Sequence, residues 1–326
     1  MSGAARLLVT GADGFLGRAV VSRAAADGRA VRATTRRASN GWPAGVEALP
    51  GHELATDTDW RTALGGVDAV VHCAARVHVM LDTAADPLAA FRLVNTAATL
   101  ALACQAAEAG VRRLVFISSI GVNGAETTNA PFRADDAVAP HSPYAVSKHE
   151  AEEGLRALAN SSGMQVVVIR PPLVYGPGAP GNFAQLMRAL QRGLPLPLGA
   201  VNNRRSFIGL DNLVDLIVTC LDQPAAANQT LLVSDGEDLS TSDLLRRTGR
   251  ALGRPARLLP VPGALLRTAA NLLGKRELGQ RLFGSLQVDI AKTRSLLGWT
   301  PPVSVDEGLR RTAAHFLAES KMVASP

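Results

Sequence analysis

The sequence predicts an α/β fold: a doubly wound parallel sheet followed by a smaller mixed lobe. Short apolar runs alternate with helical stretches from residue 6 to residue 170, the pattern of successive strand–helix units on a parallel sheet. The first run leads into a glycine-rich turn and then a helix. Beyond Pro171-Pro172 the alternation loosens, with proline- and glycine-rich breaks at residues 176–181 and 193–199. These observations divide the chain into residues 1–170, a dinucleotide-binding domain, and residues 171–326, mainly a substrate domain. A segment near residues 205–235 is expected to return to the first domain.

The strand at residues 6–10 runs into Gly11-Ala12-Asp13-Gly14-Phe15-Leu16-Gly17 and a helix to about residue 26. Glycines at this spacing let backbone approach a pyrophosphate, and the helix start supplies free N–H groups and partial positive charge. The alternative is an ordinary strand-to-helix turn. The second strand, residues 30–34, ends in Thr35-Arg36-Arg37 with no carboxylate. An acidic residue there would grip a ribose 2′-hydroxyl, whereas two guanidinium groups suit a 2′-phosphate. NADP is therefore expected over NAD, unless the pair is simply solvated. Asp57 follows a strand-like piece at residues 46–54 and suits either an adenine amino group or a helix cap near residues 59–60. The buried strand at residues 69–75 carries His72, read as structural, and the small Ala74 and Ala75, which allow close cofactor approach.

A long helix is expected from Asp86 as cap and Pro87 as first residue to a stop at Gly110. Asn95 lies inside it, either solvated or relaying a proton through bound water. The next strand, residues 113–118, ends at Ser118-Ser119. Ligands in open α/β sheets bind at such strand ends, and Ser119 can hydrogen-bond a substrate oxygen or merely form a turn.

Ser142-Pro143-Tyr144-Ala145-Val146-Ser147-Lys148 follows. Ser142 suits the cap and Pro143 the first helical position. Tyr144 and Lys148, one turn apart, share a face. A nearby ammonium favours the phenolate and lowers the phenol pKa, so the pair can move a proton while a hydride moves. A solvated tyrosine and lysine at chance spacing is the plainer reading of the motif alone. Residues 165–170 form the last strong parallel strand; residues 182–191, 211–221, 240–252 and 304–319 read as helices. Residues 256–273 read as an amphipathic helix on the core, with peripheral membrane contact as a second reading.

Bulk properties limit the partners. Of 326 residues, 47% are hydrophobic and 19% charged, and the net charge is +6. No basic stripe interleaved with aromatics suggests nucleic acid. Cys73, Cys104 and Cys220 are widely spaced in apolar surroundings and read as buried free thiols, and neither they nor the six histidines have metal-site spacing. No uninterrupted apolar run reaches about 18 residues, and the short start before the first strand is no signal peptide. A cytoplasmic protein with no metal and no membrane span is expected.

Taken in order, Gly11/Gly14/Gly17, Asp57, His72-Cys73-Ala74-Ala75, Asn95, Ser119, Tyr144-xxx-Lys148, Arg170-Pro171-Pro172-Leu173-Val174-Tyr175-Gly176-Pro177 and Leu297-Gly298-Trp299-Thr300-Pro301 resemble the extended short-chain dehydrogenase/reductase superfamily, in its nucleotide-sugar epimerase/dehydratase/reductase branch. The resemblance spans essentially the whole chain. It implies a Rossmann-type domain holding NAD(P) through Gly11, Gly14, Phe15, Leu16, Gly17, Arg36, Arg37, Asp57, Ala74, Ala75, Tyr144, Lys148 and Pro171. It implies Ser119 and Tyr144 on the sugar C4 oxygen, Lys148 on the nicotinamide ribose, Asn95 on the proton path, and Arg205, Asn182 and Arg281 on a UDP-sugar. It also implies a homodimer through a four-helix packing. Two departures stand out: Val122-Asn123-Gly124 follows Ser119 where many relatives have Val-Tyr-Gly, and Leu173 stands where hexose 4-epimerases often place an asparagine. With Arg36 and Arg37, the expectation is NAD(P)H-dependent reduction of the C4 keto group of a UDP-4-keto-6-deoxy-(N-acetyl)hexosamine for cell-surface polysaccharide. A UDP-(N-acetyl)glucose 4-epimerase using the same residues with catalytic NAD is the first alternative. A non-catalytic dinucleotide-binding regulator is the second.

Overall fold

Side chains along the strands sort by alternation onto two buried faces. Leu7, Val9, Val71, Val115, Val167 and Ile169 point into one core, and Leu8, Val70, Leu114, Phe116, Val166 and Val168 into the other. Both faces of such a sheet must be covered. The computed structural model describes residues 6–77, 85–272 and 276–324.

Among the described residues seven strands form the large sheet: β1 (Arg6–Thr10), β2 (Ala30–Thr35), β3 (Val46–Pro50), β4 (Ala69–His72), β5 (Arg113–Ile117), β6 (Gln165–Arg170) and β9 (Thr230–Leu232). Their order is β3-β2-β1-β4-β5-β6-β9, every pair parallel. The chain reverses its winding between β1 and β4, which opens a crevice at the carboxyl ends of these strands. Helices Phe15–Ala26 and Leu210–Asp222 cover one face through Val20, Val21, Leu213 and Ile217. Helices Pro87–Glu108 and Pro143–Ser162 cover the other through Leu102, Ala106, Ala151 and Leu155. Asp86 caps the first of these by accepting from the Ala89 N–H at 3.0 Å. By length and composition Pro87–Glu108 would also suit a membrane span, although Arg92 interrupts its apolar run. Ala98, Leu102, Ala103 and Ala106 pack one face of it against the sheet, and the rest of its apolar surface faces outward.

The rest of the chain forms a lobe with its own core, which includes Phe183, Met187, Phe207, Leu245 and Leu309. Its sheet is β10-β8-β7, with β7 (Leu173–Tyr175) parallel and β10 (Asp238–Leu239) antiparallel to β8 (Arg205–Gly209). Thus β8 belongs to the small sheet, while β9 joins the large one beside β6. Several sequence readings need correction. The strand read over residues 69–75 ends at His72, and the helix read over residues 304–319 runs from Val305 to Ala324. The strand after β2 stops at Pro50, short of residue 54. The helix expected over residues 256–273 is only Gly263–Leu272, because Pro260 and Pro262 cannot lie inside a helix. Cys220 is buried, but Cys73 is only half-buried and Cys104 is exposed.

Candidate active site

The glycine turn lies at the carboxyl end of β1. Gly11 has φ +61°, and a Cβ on it would stand 2.8 Å from the Ala74 backbone. A Cβ on Gly17 would stand 2.2 Å from the Gly11 carbonyl oxygen. Gly14 differs: its φ is −74°, and its Cβ would meet only the Gly11 oxygen, at 3.1 Å. Gly11 and Gly17 are therefore demanded by the chain's own packing, whereas Gly14 leaves open space above the start of helix Phe15–Ala26. That helix has no side-chain cap, so its first amides have no intrahelical partner. This is a cradle a Cβ would fill, and it fits a dinucleotide pyrophosphate. Phe15 and Leu16 pack against the sheet core and fix the helix start. Replacing Gly14 by alanine is expected to lower dinucleotide affinity at least about tenfold with little change in melting temperature, while Gly17→Ala unfolds the turn. Dinucleotide titration and thermal melting of both variants check this.

Arg36 and Arg37 follow β2 and are exposed. The Thr35 hydroxyl shapes their turn by donating to the Arg37 carbonyl at 2.6 Å. Asp57 is exposed in a turn. It does not cap the following helix, Arg61–Leu64, which starts at Trp60 without a side-chain cap; Asp59 accepts the Arg61 N–H at 3.0 Å just before it. His72 is structural. Its Nδ1 and Nε2 meet Thr10 and Thr99 hydroxyls at 2.7 and 2.9 Å, and burial, with the Lys148 charge adding, pushes its pKa down to about 3. Thr10 also accepts the Ala74 N–H at 3.3 Å, which holds the Ala74-Ala75 turn beside Gly11.

Ser142 caps helix Pro143–Ser162 by accepting the Ala145 N–H at 3.2 Å. Lys148, 2% exposed, lies under the helix with Nζ donating to the Ile117 carbonyl at 2.9 Å. Its Nζ is 6.0 Å from the Tyr144 ring centroid. Burial lowers the Lys148 pKa to about 8, with Cys73 and Glu152 opposing. Tyr144 is half-buried and meets Phe91 edge-on at 5.9 Å. Its pKa is pushed up to about 12 by burial, against the lowering expected from a neighbouring ammonium. The reason is distance and desolvation: the lysine charge sits below the ring, and the apolar surroundings disfavour the phenolate more than that charge favours it.

Ser119, half-buried at the end of β5, accepts the Gly121 N–H at 3.1 Å. A Cβ on Gly121 would stand 3.3 Å from Ser119 Oγ and 3.4 Å from Ala145 Cβ, so the serine hydroxyl and the first turn of the Tyr144 helix flank this glycine. Pro171 is buried, and its carbonyl accepts the Ile120 N–H at 3.0 Å, tying the β6 end to the serine loop. Asn95 is fully buried in a π-helical turn, Arg92–Ala98. Its Oδ1 accepts the Arg76 N–H at 2.8 Å, and its Nδ2 donates to the Arg76 carbonyl at 3.0 Å and to Ser147 Oγ at 3.1 Å. Asn95 therefore joins three segments of the site. The π turn, a feature common at functional sites, aims it there.

A buried ionic network escaped the sequence reading. Glu152, one turn beyond Lys148, is fully buried; it accepts from Arg170 Nε at 2.9 Å and Nη2 at 2.6 Å, from Arg156 at 2.7 Å and from Ser118 Oγ at 2.5 Å. Arg170 Nη1 donates to Asn123 Oδ1 at 3.0 Å. The available signal was spacing: Tyr144, Lys148 and Glu152 repeat every four residues on one helix face. On the substrate side, half-buried Arg205 donates to the Gly284 carbonyl at 3.0 Å. The side chains of Asn182 and Arg281 lie outside the described residues, although their backbones begin helix Asn182–Gln191 and lie in helix Arg276–Phe283. Among the described residues no cluster of potential ligands suits a metal.

Comparison with known proteins gives a coherent picture. The chain is 47% identical over 314 residues to a UDP-glucose 4-epimerase of Vibrio cholerae, covering 95% of each. A solved structure of MoeE5 in complex with UDP-glucose and NAD matches with TM-score 0.75 and 26% identity, covering 97% of this chain and 99% of that one. UDP-glucuronic acid 4-epimerase from Bacillus cereus in complex with NAD shares the fold, with TM-score 0.79 at 19% identity over 98% of this chain and 99% of that one. The model of the NAD dependent epimerase/dehydratase family matches residues 7–233. The protein is thus an enzyme of the extended short-chain dehydrogenase/reductase type and belongs to the NAD dependent epimerase/dehydratase family.

Proposed function

We propose that the protein is a UDP-hexose 4-epimerase that oxidises and re-reduces the sugar C4 with NAD retained through the cycle. The observation that carries this is the Ser119, Tyr144 and Lys148 set, present in a chain 47% identical over nearly its full length to a UDP-glucose 4-epimerase. The bound dinucleotide supplies the hydride acceptor and donor. Tyr144 takes the C4 hydroxyl proton as hydride leaves C4 and returns it when hydride comes back to the other face of the rotated keto sugar. Ser119 holds the C4 oxygen and stabilises the charge that develops there. Lys148 contributes its ammonium and its fixed place under the ring, and Asn95 keeps the Arg76 and Ser147 segments in register. Arg205 is the candidate for the UDP diphosphate, with Asn182 and Arg281 as weaker candidates. In this division of labour, residues 1–170 hold the dinucleotide and the rest mainly holds the nucleotide sugar.

One observation favours a second reading. Arg36 and Arg37, exposed at the end of β2 with no carboxylate in that turn, suit NADP and a net 4-keto reduction. The test presents purified enzyme with UDP-glucose and UDP-N-acetylglucosamine, then with NADPH and a UDP-4-keto-6-deoxy-N-acetylhexosamine. Interconversion of 4-epimers without cofactor consumption is the expected result, and replacing Arg36 and Arg37 by glutamine leaves its rate within about twofold, since NAD has no 2′-phosphate for these guanidinium groups to hold. Stoichiometric NADPH oxidation without interconversion overturns the epimerase in favour of the reductase. Dinucleotide binding with neither activity identifies a regulator. We also propose a cytoplasmic homodimer: helices Pro87–Glu108 and Pro143–Ser162 lie side by side, and Leu93, Ala97 and Cys104 form an exposed strip on the first.

A further inference from the structure

We propose that the C-terminal lobe docks peripherally on an anionic lipid bilayer, through helix Gly263–Leu272 and the two extended strips that lead to it. Between Asp243 and Glu277 the sequence has eight lysines and arginines, no acidic residue and no Phe, Tyr or Trp. The fold gathers this segment with another. Backbone hydrogen bonds join residues 194–200 to 257–262: Leu196 N–H donates to the Arg257 carbonyl at 2.9 Å, and Leu259 N–H to the Leu196 carbonyl at 2.8 Å. Ala200 bridges to Pro262, at the threshold of the helix.

Large apolar side chains stand out from this surface. Leu194, Leu259, Leu265 and Leu272 are 46%, 51%, 63% and 83% exposed. They make up half of the strongly exposed large apolar side chains among the described residues. The charges around them are unbalanced. Arg246 and Arg247 are neutralised by Asp243 and Glu237, but Arg250, Arg254, Arg257 and Arg267 have no carboxylate partner among the described residues. Among the described residues Arg254 reaches only the Gln191 carbonyl, at 2.9 Å, and Arg267 the Phe283 carbonyl, at 3.4 Å.

Exposed leucines among unpaired guanidinium groups are the composition of an interfacial surface, where apolar side chains enter the acyl boundary and the cations meet lipid phosphates. Charge selects this occupant over a second copy, since a two-fold contact would set the same basic patch against itself. The lack of aromatic rings removes the stacking that single-stranded nucleic acid would use. Pro195, Pro197, Pro260 and Pro262 interrupt both strips, so strand addition by a peptide has few N–H donors to pair with.

The test is flotation of the full-length enzyme with phosphatidylcholine vesicles, with and without phosphatidylglycerol. Binding to the anionic vesicles alone is expected, and it should fall away at about 1 M salt, where screening shortens to about 3 Å. Each of Arg254→Gln and Arg257→Gln should weaken binding about fivefold, and Leu265→Ser with Leu272→Ser at least about tenfold. All four side chains are exposed and outside the site, so sugar turnover in solution should be unchanged and reports that the variants are folded. The proposal is overturned if the native enzyme ignores anionic vesicles or binds both kinds equally, or if the variants bind as the native enzyme does. It is also overturned if the leucine variant converts a solution dimer to monomer by sedimentation, since the occupant would then be a second copy.

Discussion

Replacing Tyr144 by phenylalanine is expected to lower kcat by about 10²–10⁴-fold, the range that one positioned acid–base group supplies. The variant should still fold and bind dinucleotide. Three observations separate chemistry from structure here. The Tyr144 hydroxyl makes no hydrogen bond among the described residues, so removing it breaks no bond within the fold. The ring's edge contact with Phe91, at 5.9 Å, survives in phenylalanine. Lys148 is held by the Ile117 carbonyl, independently of the tyrosine. Melting temperature should therefore change little while turnover collapses. If Tyr144→Phe retains more than a tenth of native kcat, the proton passes through another group and the proposed roles fail.

Much of this site could be read from the sequence because its parts are local. A glycine turn between strand and helix, a Ser-Pro start before Tyr144, and a lysine one turn later each depend on neighbours within a few residues. So do the caps at Asp86, Ser142 and Ser240, whose hydroxyl or carboxylate oxygens each accept a backbone N–H three residues on. What escaped is non-local. Glu152 reads as one carboxylate among several on a polar helix, and only the packing of that helix across the paired ends of β5 and β6 brings Ser118 and Arg170 to it. The same holds for Tyr144: local spacing suggested a lowered pKa, but how deeply the ring and the ammonium are buried depends on how their helix packs on the large sheet. Residues 256–262 misled for another reason. Their apolar spacing is helical, yet Pro260 and Pro262 make them extended, and their hydrogen bonds go to a strip about 60 residues earlier.

Replacing Arg170 by methionine is expected to destabilise the fold by about 3–5 kcal/mol, because it leaves the Glu152 carboxylate buried without its main partner. Arg170 is 2% exposed and Glu152 fully buried, so solvent cannot take over the lost interactions. The two side chains meet through a pair of parallel hydrogen bonds, the strong geometry for arginine and carboxylate. The effect should reach catalysis too. Glu152 holds Ser118, the neighbour of Ser119, and lies one turn from Lys148; Arg170 holds Asn123, at the other end of the serine loop. Loss should therefore fall on kcat more than on KM, as expected of positioning residues that touch no substrate. The double variant Glu152→Leu with Arg170→Met removes both charges and should recover much of the stability without recovering kcat. A double variant as unstable as Arg170→Met would show that packing, not the ion pair, sets the cost. Acid gives an independent check. Burial raises the Glu152 pKa, but Arg170, Ser118 and Arg156 outweigh it and hold the carboxyl below its ordinary value of 4.5. The native state thus binds this proton less readily than the unfolded chain does. Its contribution to stability is full above the ordinary carboxylate range and is lost as pH falls through the depressed native value. Acid unfolding of the native protein should accordingly show a stability loss below about pH 4.5 that is absent from the double variant, in which no carboxylate remains at this position to be protonated.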